Sequence, residues 1–114
     1  MLSAANRLKN GADFKKVFGK GKISDGYLIR IKFFKNNLRE PRFGFIVSKK
    51  FAAKAAERNL IKRRLRAAAA GLLKNAGGFD IVVWPKGVVK KSAYRAIVAD
   101  LKTILIKNDI ISVQ

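Results

Sequence analysis

Apolar residues near the amino terminus recur at the spacing of one helix face. Phe14, Val17 and Phe18 lie three and four positions apart, and the polar Asn10 stands where a helix cap is expected. Two glycines follow shortly afterwards and favour termination. The pattern predicts a short helix over 11–18 with two aromatic rings on one side.

The next segments follow the two-residue period of a strand. In the run YLIRIKFF, over 27–34, Ile29 and Ile31 fall on one face and charged residues on the other. A turn-like stretch, KNNLREPR, separates it from a second run, FGFIVS, over 43–48. This proximity predicts an antiparallel hairpin.

The second half of the chain predicts a helix, a strand and a helix. Strong helix formers fill 55–75 before a Gly-Gly pair, and the apolar run over 79–84 has the length of a buried strand. Ser92 is positioned to cap a last helix that runs to about residue 107. Its apolar stripe comprises Ile97, Leu101, Ile104 and Leu105. The predicted order is α-β-β-α-β-α, with room for another short strand near Ile23 or Ile110.

Composition narrows the classes of function. The chain has 114 residues with 26 Lys plus Arg against 7 Asp plus Glu, a net charge of +19, and no Cys or His. The length predicts a single domain over 1–114, and the missing residue types exclude thiol nucleophiles, disulfides and the usual zinc sites. No signal-like or membrane-spanning run is present, so we expect a cytoplasmic protein. The charge favours nucleic acid as partner, with an anionic membrane surface as the second candidate.

Much of this charge falls on the predicted central helix and the residues before it. Eight basic residues and one acid lie between Lys49 and Arg66. Arg58, Lys62 and Arg66 form a row at i to i+4 spacing, where like charges repel by a few tenths of a kcal/mol per pair. Such a row fits phosphate neutralisation better than a solvated face, which normally mixes acids with bases. Both interpretations stay open on charge alone.

Separate blocks of this sequence resemble the protein subunit of bacterial ribonuclease P. The family's strand and helix signatures are matched by RFGFIVSKK and by AAERNLIKRRLR, and the amino-terminal NRLKNGADFKKVFGKG and the later FDIVVWPKG are similar too. The resemblance implies an α+β fold, a two-layer sandwich similar to domain 2 of ribosomal protein S5, with a left-handed β-α-β crossover. It also implies that the protein assists an RNA catalyst in endonucleolytic removal of 5′ leaders from precursor tRNA.

The resemblance implies roles for individual residues as well. Its conserved basic surface corresponds here to Lys49, Lys50, Arg58, Asn59, Lys62, Arg63 and Arg66. The leader lies in a cleft between the first helix and the sheet, where Phe14 and Phe18 match the aromatic positions. Aromatic faces stack on bases with little sequence preference, although core packing is the alternative for both rings. For the sheet side of the cleft we expect Ile29, Ile31 and Ile46.

The implied partners are the ribonuclease P RNA and the leader of precursor tRNA, with no membrane and no obligate protein partner. We expect no catalytic residue, metal or cofactor on the protein, and assign the required Mg²⁺ to the RNA-catalysed reaction. Three other functions are compatible with parts of the sequence. A stand-alone nuclease is disfavoured by scattered acids and absent His. A membrane-active helix would need a wider apolar face. A ribosomal or other structural RNA-binding protein shares the charge and size, and only the combined motifs favour ribonuclease P.

Overall fold

The computed structural model describes residues 2–87 and 93–112. Its helices and strands, in chain order, are α1 (Gly11–Lys20), β1 (Lys22–Asp25), β2 (Ile29–Lys35), β3 (Arg42–Phe45), α2 (Ala55–Ala70), β4 (Phe79–Pro85) and α3 (Tyr94–Lys107). Single 3₁₀ turns cover Ala4–Asn6 and Leu73–Asn75. The predicted helices and strands are all present, and the extra strand is β1, at Ile23. The expected cap Ser92 lies outside the described residues.

Local sequence accounts for where the helices begin and end. The Asn10 side chain accepts a hydrogen bond from the amide of Ala12 at 2.8 Å, which confirms the predicted cap of α1. Helix α2 stops at Ala70, and the rest of the predicted segment is a turn at Gly71 and Leu72 followed by the 3₁₀ turn Leu73–Asn75. The α1 helix continues through Gly19 to Lys20, and Gly21 is its C-cap.

The four strands form one sheet in the order β1-β2-β4-β3. Strand β4 is antiparallel to β2 and parallel to β3, with Val83 opposite both Ile31 and Phe45. The predicted hairpin of β2 with β3 is therefore wrong. Strand β4 takes the place between them because Ile81, Val82 and Val83 are all fully buried, and a strand that is apolar on both faces belongs inside the sheet.

Helix α2 connects the parallel neighbours β3 and β4 and so forms the expected β-α-β crossover. The left hand of that crossover stays a prediction. Helices α2 and α3 pack on one face of the sheet, and all four residues of the predicted α3 stripe are buried there. Residues of this face and of its two helices form the larger of the two apolar clusters found among the described residues. The sheet and this pair of helices are the two principal layers of the fold.

Helix α1 lies on the opposite face of the sheet. Leu8, Val17 and Val82 form a second buried cluster there, and Phe14 and Trp84 pack against it. One short helix covers only part of this face. The sheet is thus closed on the side of α2 and α3 and partly open beside α1.

Candidate nucleic-acid interface

The predicted basic surface is displayed along α2 and the turn that precedes it. Lys49 and Lys50 are exposed in that turn, and Asn59 and Arg63 are exposed on the helix. On the other side of α2, Ile61 and Leu65 are buried in the core, as their spacing predicts. The structure therefore separates an apolar stripe from a row of cations, which is the division that the periodicity of α2 predicts.

One residue of this surface also supports the fold. The Arg58 guanidinium donates through one nitrogen to the carbonyls of Ala52 at 3.0 Å and Ala53 at 2.8 Å. These bonds hold the turn between β3 and α2 against the first turn of the helix. Arg58 is consequently half-buried, whereas Arg63, five residues further along the helix, faces solvent.

Lys62 and Arg66 line a recess at the sheet edge, which we call the edge recess. Its volume is about 240 Å³, and Arg7 and Lys9 bring two further cations to it from the amino-terminal segment. Arg66 Nε is buried and has no hydrogen-bond partner within the described part of the chain. Sequence reasoning missed Arg7 and Lys9, because a backbone bridge between Arg7 and Phe43 brings that segment alongside β3.

A larger depression, the α1 cleft, opens on the uncovered part of the sheet. It has a volume of about 610 Å³ and is lined by Phe18, Ile23, Arg30, Lys32, Trp84, Pro85, Lys86 and Gly87. The rings of Phe18 and Trp84 lie 5.8 Å apart, and the ring of Phe14, which lines the edge recess and not this cleft, lies 6.2 Å from that of Phe18. Phe18 remains 41% exposed, so its ring is not simply core. The cleft thus combines two aromatic rings, those of Phe18 and Trp84, with three cations.

The expected sheet side of the cleft needs correction. Ile29 and Ile31 are fully buried beneath α2 and α3, on the face away from α1, and cannot line an open cleft. Strand alternation instead points Arg30 and Lys32 into it. Ile46 does lie on the α1 side, packed against the cluster around Val82. Its role in binding stays a prediction, as do the roles of Phe14 and Phe18.

The cations of the α1 cleft are held by local acceptors. Lys32 Nζ donates to the Phe18 carbonyl near the end of α1. Arg30 pairs with Asp25 at 2.7 Å, and Lys86 approaches the same carboxylate at 3.3 Å. The hydrogen bond from Arg30 is the main cause that lowers the pKa of Asp25 below its ordinary value, and Lys86 adds to the effect.

Arg42 fixes α1 to the sheet. Its guanidinium grips the buried Asp80 of β4 through two nitrogens, at 2.8 and 2.7 Å, and reaches Asp13 of α1 at 3.1 Å. The bonds to Asp80 are the main cause that raises the pKa of Arg42 above its ordinary value. Paired hydrogen bonds from Arg to a carboxylate fix geometry as well as charge. One signature residue thereby connects β3, β4 and α1.

Gly44, the glycine of the same signature, allows α1 to approach. A Cβ atom added at Gly44 would stand 2.5 Å from Cζ of Phe14, closer than real Cβ contacts come. The Phe14 ring therefore lies directly over the backbone of β3. Arg42 and Gly44 together set the position of the helix that carries both candidate aromatic rings.

The chain is similar to known proteins in sequence and in fold. The family model described as Ribonuclease P matches residues 2–109. The chain is similar to the ribonuclease P protein component of Pseudanabaena sp., 39% identical with 97% of each chain covered, and to that of Syntrophomonas wolfei, 36% identical with 94% of this chain and 90% of the relative covered.

Two solved structures share the fold. The RNase P protein from Staphylococcus aureus superposes with a TM-score of 0.83 at 26% identity, covering 94% of this chain and 98% of the other. The RNase P protein from Thermotoga maritima gives a TM-score of 0.77 at 30% identity, covering 89% and 96%. Across the described ranges, no helix has the length and apolar content to cross a membrane.

Proposed function

This chain belongs to the ribonuclease P protein family, and from that premise we propose how its two charged surfaces divide the work of the ribonucleoprotein. The basic surface on α2 contacts the ribonuclease P RNA, and the α1 cleft receives the 5′ leader of precursor tRNA. Family membership also favours this function over the ribosomal or structural alternative. A cytoplasmic location is part of the proposal.

The observation that carries the proposal is the chemistry of the α1 cleft. Phe18 and Trp84 offer aromatic faces, and Arg30, Lys32 and Lys86 surround them with positive charge. Stacking on rings beside phosphate contacts is how proteins hold single strands with little sequence preference. A subunit that serves many precursor tRNAs needs such tolerance, because their leaders differ in sequence.

The basic surface suits a folded RNA instead. Its cations are spread along one side of a rigid helix, and Lys62 and Arg66 continue into the edge recess with Arg7 and Lys9. Phosphates of a structured RNA can neutralise the row of like charges that α2 presents. Arg66 supports the proposal through its positive charge at this recess, since its Nε is buried and out of reach of an RNA oxygen.

In this proposal the protein binds and positions, and the RNA catalyses the cleavage. Magnesium supplies the charge stabilisation of that cleavage when it is bound to the RNA. Three of the acids bind cations of the protein itself: Asp13 and Asp80 bind Arg42, and Asp25 binds Arg30. Within 2–87 and 93–112, no three acidic side chains come together as a metal-binding group.

The deciding experiment adds this protein to a bacterial ribonuclease P RNA and a precursor tRNA at low magnesium. We expect 5′ cleavage to exceed that of the RNA alone, because the protein's cations screen repulsion between the two RNAs. No gain at any protein concentration would refute the assignment of function.

A pair of matched variants tests the cleft itself. Phe18→Leu removes an exposed ring in the cleft, whereas Tyr94→Leu removes one of similar exposure, 43% against 41%, on α3 at the other face. Loss of a stacked base costs about 1–3 kcal/mol, roughly five- to 150-fold in affinity. We expect Phe18→Leu alone to weaken binding of long-leader substrates and to leave a substrate with a minimal leader unaffected. Equal effects of the two variants would contradict the leader site.

A further inference from the structure

An acidic side chain binds two of the three cations that line the α1 cleft. Asp25 accepts from Arg30 through both carboxylate oxygens, at 2.7 Å from Nε and 3.4 Å from Nη2. Lys86 Nζ stands 3.3 Å from the same carboxylate and also donates to the Gly26 carbonyl at 2.8 Å. The third cation, Lys32, is bound to a neutral carbonyl instead.

Asp25 offers Arg30 a pair of negatively charged oxygens, as a phosphate group would. An arginine fork binds a carboxylate and a phosphate with the same paired geometry, so one guanidinium edge cannot serve both at full strength. The pair is about half exposed, at 52% for Arg30 and 45% for Asp25, and an incoming strand can reach it. A carboxylate beside the strand's path also repels phosphate directly.

We propose that Asp25 competes with the leader's phosphates for Arg30. This competition keeps the affinity of the α1 cleft for the leader below the affinity that its cations would give without Asp25. The inference rests on the proposed leader site and adds a residue that limits its affinity. When the leader enters the cleft, one of its phosphates must displace Asp25 from Arg30. The ion pair between Asp25 and Arg30 forms again when the cleaved leader departs. The exchange weakens the hold on the product and on short stray polyanions.

The test uses Asp25→Asn in the full chain, compared with Asp109→Asn. Both changes raise the net charge by one unit. Asp109 is exposed at the end of α3 and has a φ of 59°, a conformation that asparagine tolerates well. Any general effect of charge on RNA binding will therefore appear in both variants. The probe is a labelled single-stranded RNA with a leader's length, titrated at several salt concentrations.

We expect Asp25→Asn to bind the probe about two- to fivefold more tightly than Asp109→Asn at low salt, the range expected for release from an exposed ion pair. The plot of log K against log salt should steepen by about 0.7 for each phosphate newly contacted, an extra loss of about 2.6-fold over a fourfold rise in salt. Adding Arg30→Gln to Asp25→Asn should abolish the gain.

Weaker binding by Asp25→Asn would overturn the proposal, since Asp25 would then be holding Arg30 ready for phosphate. Equal binding by Asp25→Asn and Asp109→Asn would overturn it as well. Failure of the leader site itself is recognised separately, because Phe18→Leu would then leave binding of the probe unchanged. Thermal unfolding of every variant identifies any loss of binding that comes from unfolding.

Discussion

The contact between Gly44 and Phe14 is open to a quantitative test by Gly44→Ala. The new methyl group would stand 2.5 Å from Cζ and 2.7 Å from Cε1 of the ring, whereas ordinary contact begins at 3.4 Å. The ring must therefore retreat by roughly 1 Å. The half-buried ring also packs against the cluster of Leu8, Val17 and Val82, which limits the directions in which it can move. Retreat consequently strains α1 or lifts it from the sheet.

The expected cost is that of overpacking a close contact, about 1–3 kcal/mol. At this chain length a loss of 1 kcal/mol lowers Tm by roughly 4 °C, so we expect Gly44→Ala to unfold about 4–12 °C earlier. The control is Gly19→Ala, in α1, where an added Cβ meets nothing within 4 Å. That change should stabilise the protein by about 0.5–1 kcal/mol, because alanine favours helix more than glycine does.

A double-mutant cycle identifies the cause. Phe14→Leu removes the distal ring atoms that meet the new methyl group, so Gly44→Ala should cost little in that background. The assay is urea unfolding of the four proteins, with leader binding measured beside it. An equal cost in both backgrounds, or a Gly44→Ala variant as stable as the original, would refute the argument from steric overlap.

Three further predictions concern charged groups. Arg42→Met should lower the free energy of unfolding in urea by about 3 kcal/mol, because it leaves the buried Asp80 carboxylate without its charged partner. Adding Asp80→Asn to that variant should recover part of the loss. Arg63→Ala should weaken RNA binding without changing Tm, whereas Arg58→Ala should lower both, because Arg58 also binds two carbonyls before α2; equal Tm values would contradict this difference. The lowered pKa of Asp25 means that its contribution to stability is present above its ordinary value of 3.8 and is lost as pH falls through the folded value. Asp25→Asn should therefore unfold more easily than the original at neutral pH and match it in strong acid, and a gap that persists there would refute the ion pair as the cause.

The helices were predictable because their signals are local. The Asn10 cap, the stripe of α3 and the divided faces of α2 each depend on residues within a few turns of one another. Strand pairing is not local. Strands β2 and β3 are neighbours in sequence, yet β4, more than thirty residues later, separates them, and no hydrophobic period encodes that choice.

The prediction of the cleft residues also has a local part that is right and a non-local part that is wrong. Alternation in β2 correctly separates Ile29 and Ile31 from Arg30 and Lys32, but it does not say which face meets α1. The more apolar face became the core beneath α2 and α3, as burial of hydrophobic area favours. The charged face of β2 therefore lines the cleft. Recognising that a single short helix cannot bury a fully apolar face would have corrected the prediction.

The central place of β4 also has a consequence for synthesis on the ribosome. Strands β2 and β3 are joined only through β4, so the sheet cannot close until residues 79–85 have left the exit tunnel. By then all of α2 has been made. Until the sheet closes, the cations of α2 belong to a partly folded chain at the ribosome, where RNA is abundant. Chain order therefore exposes the cations of α2 to other RNAs before the sheet that carries the α1 cleft has formed.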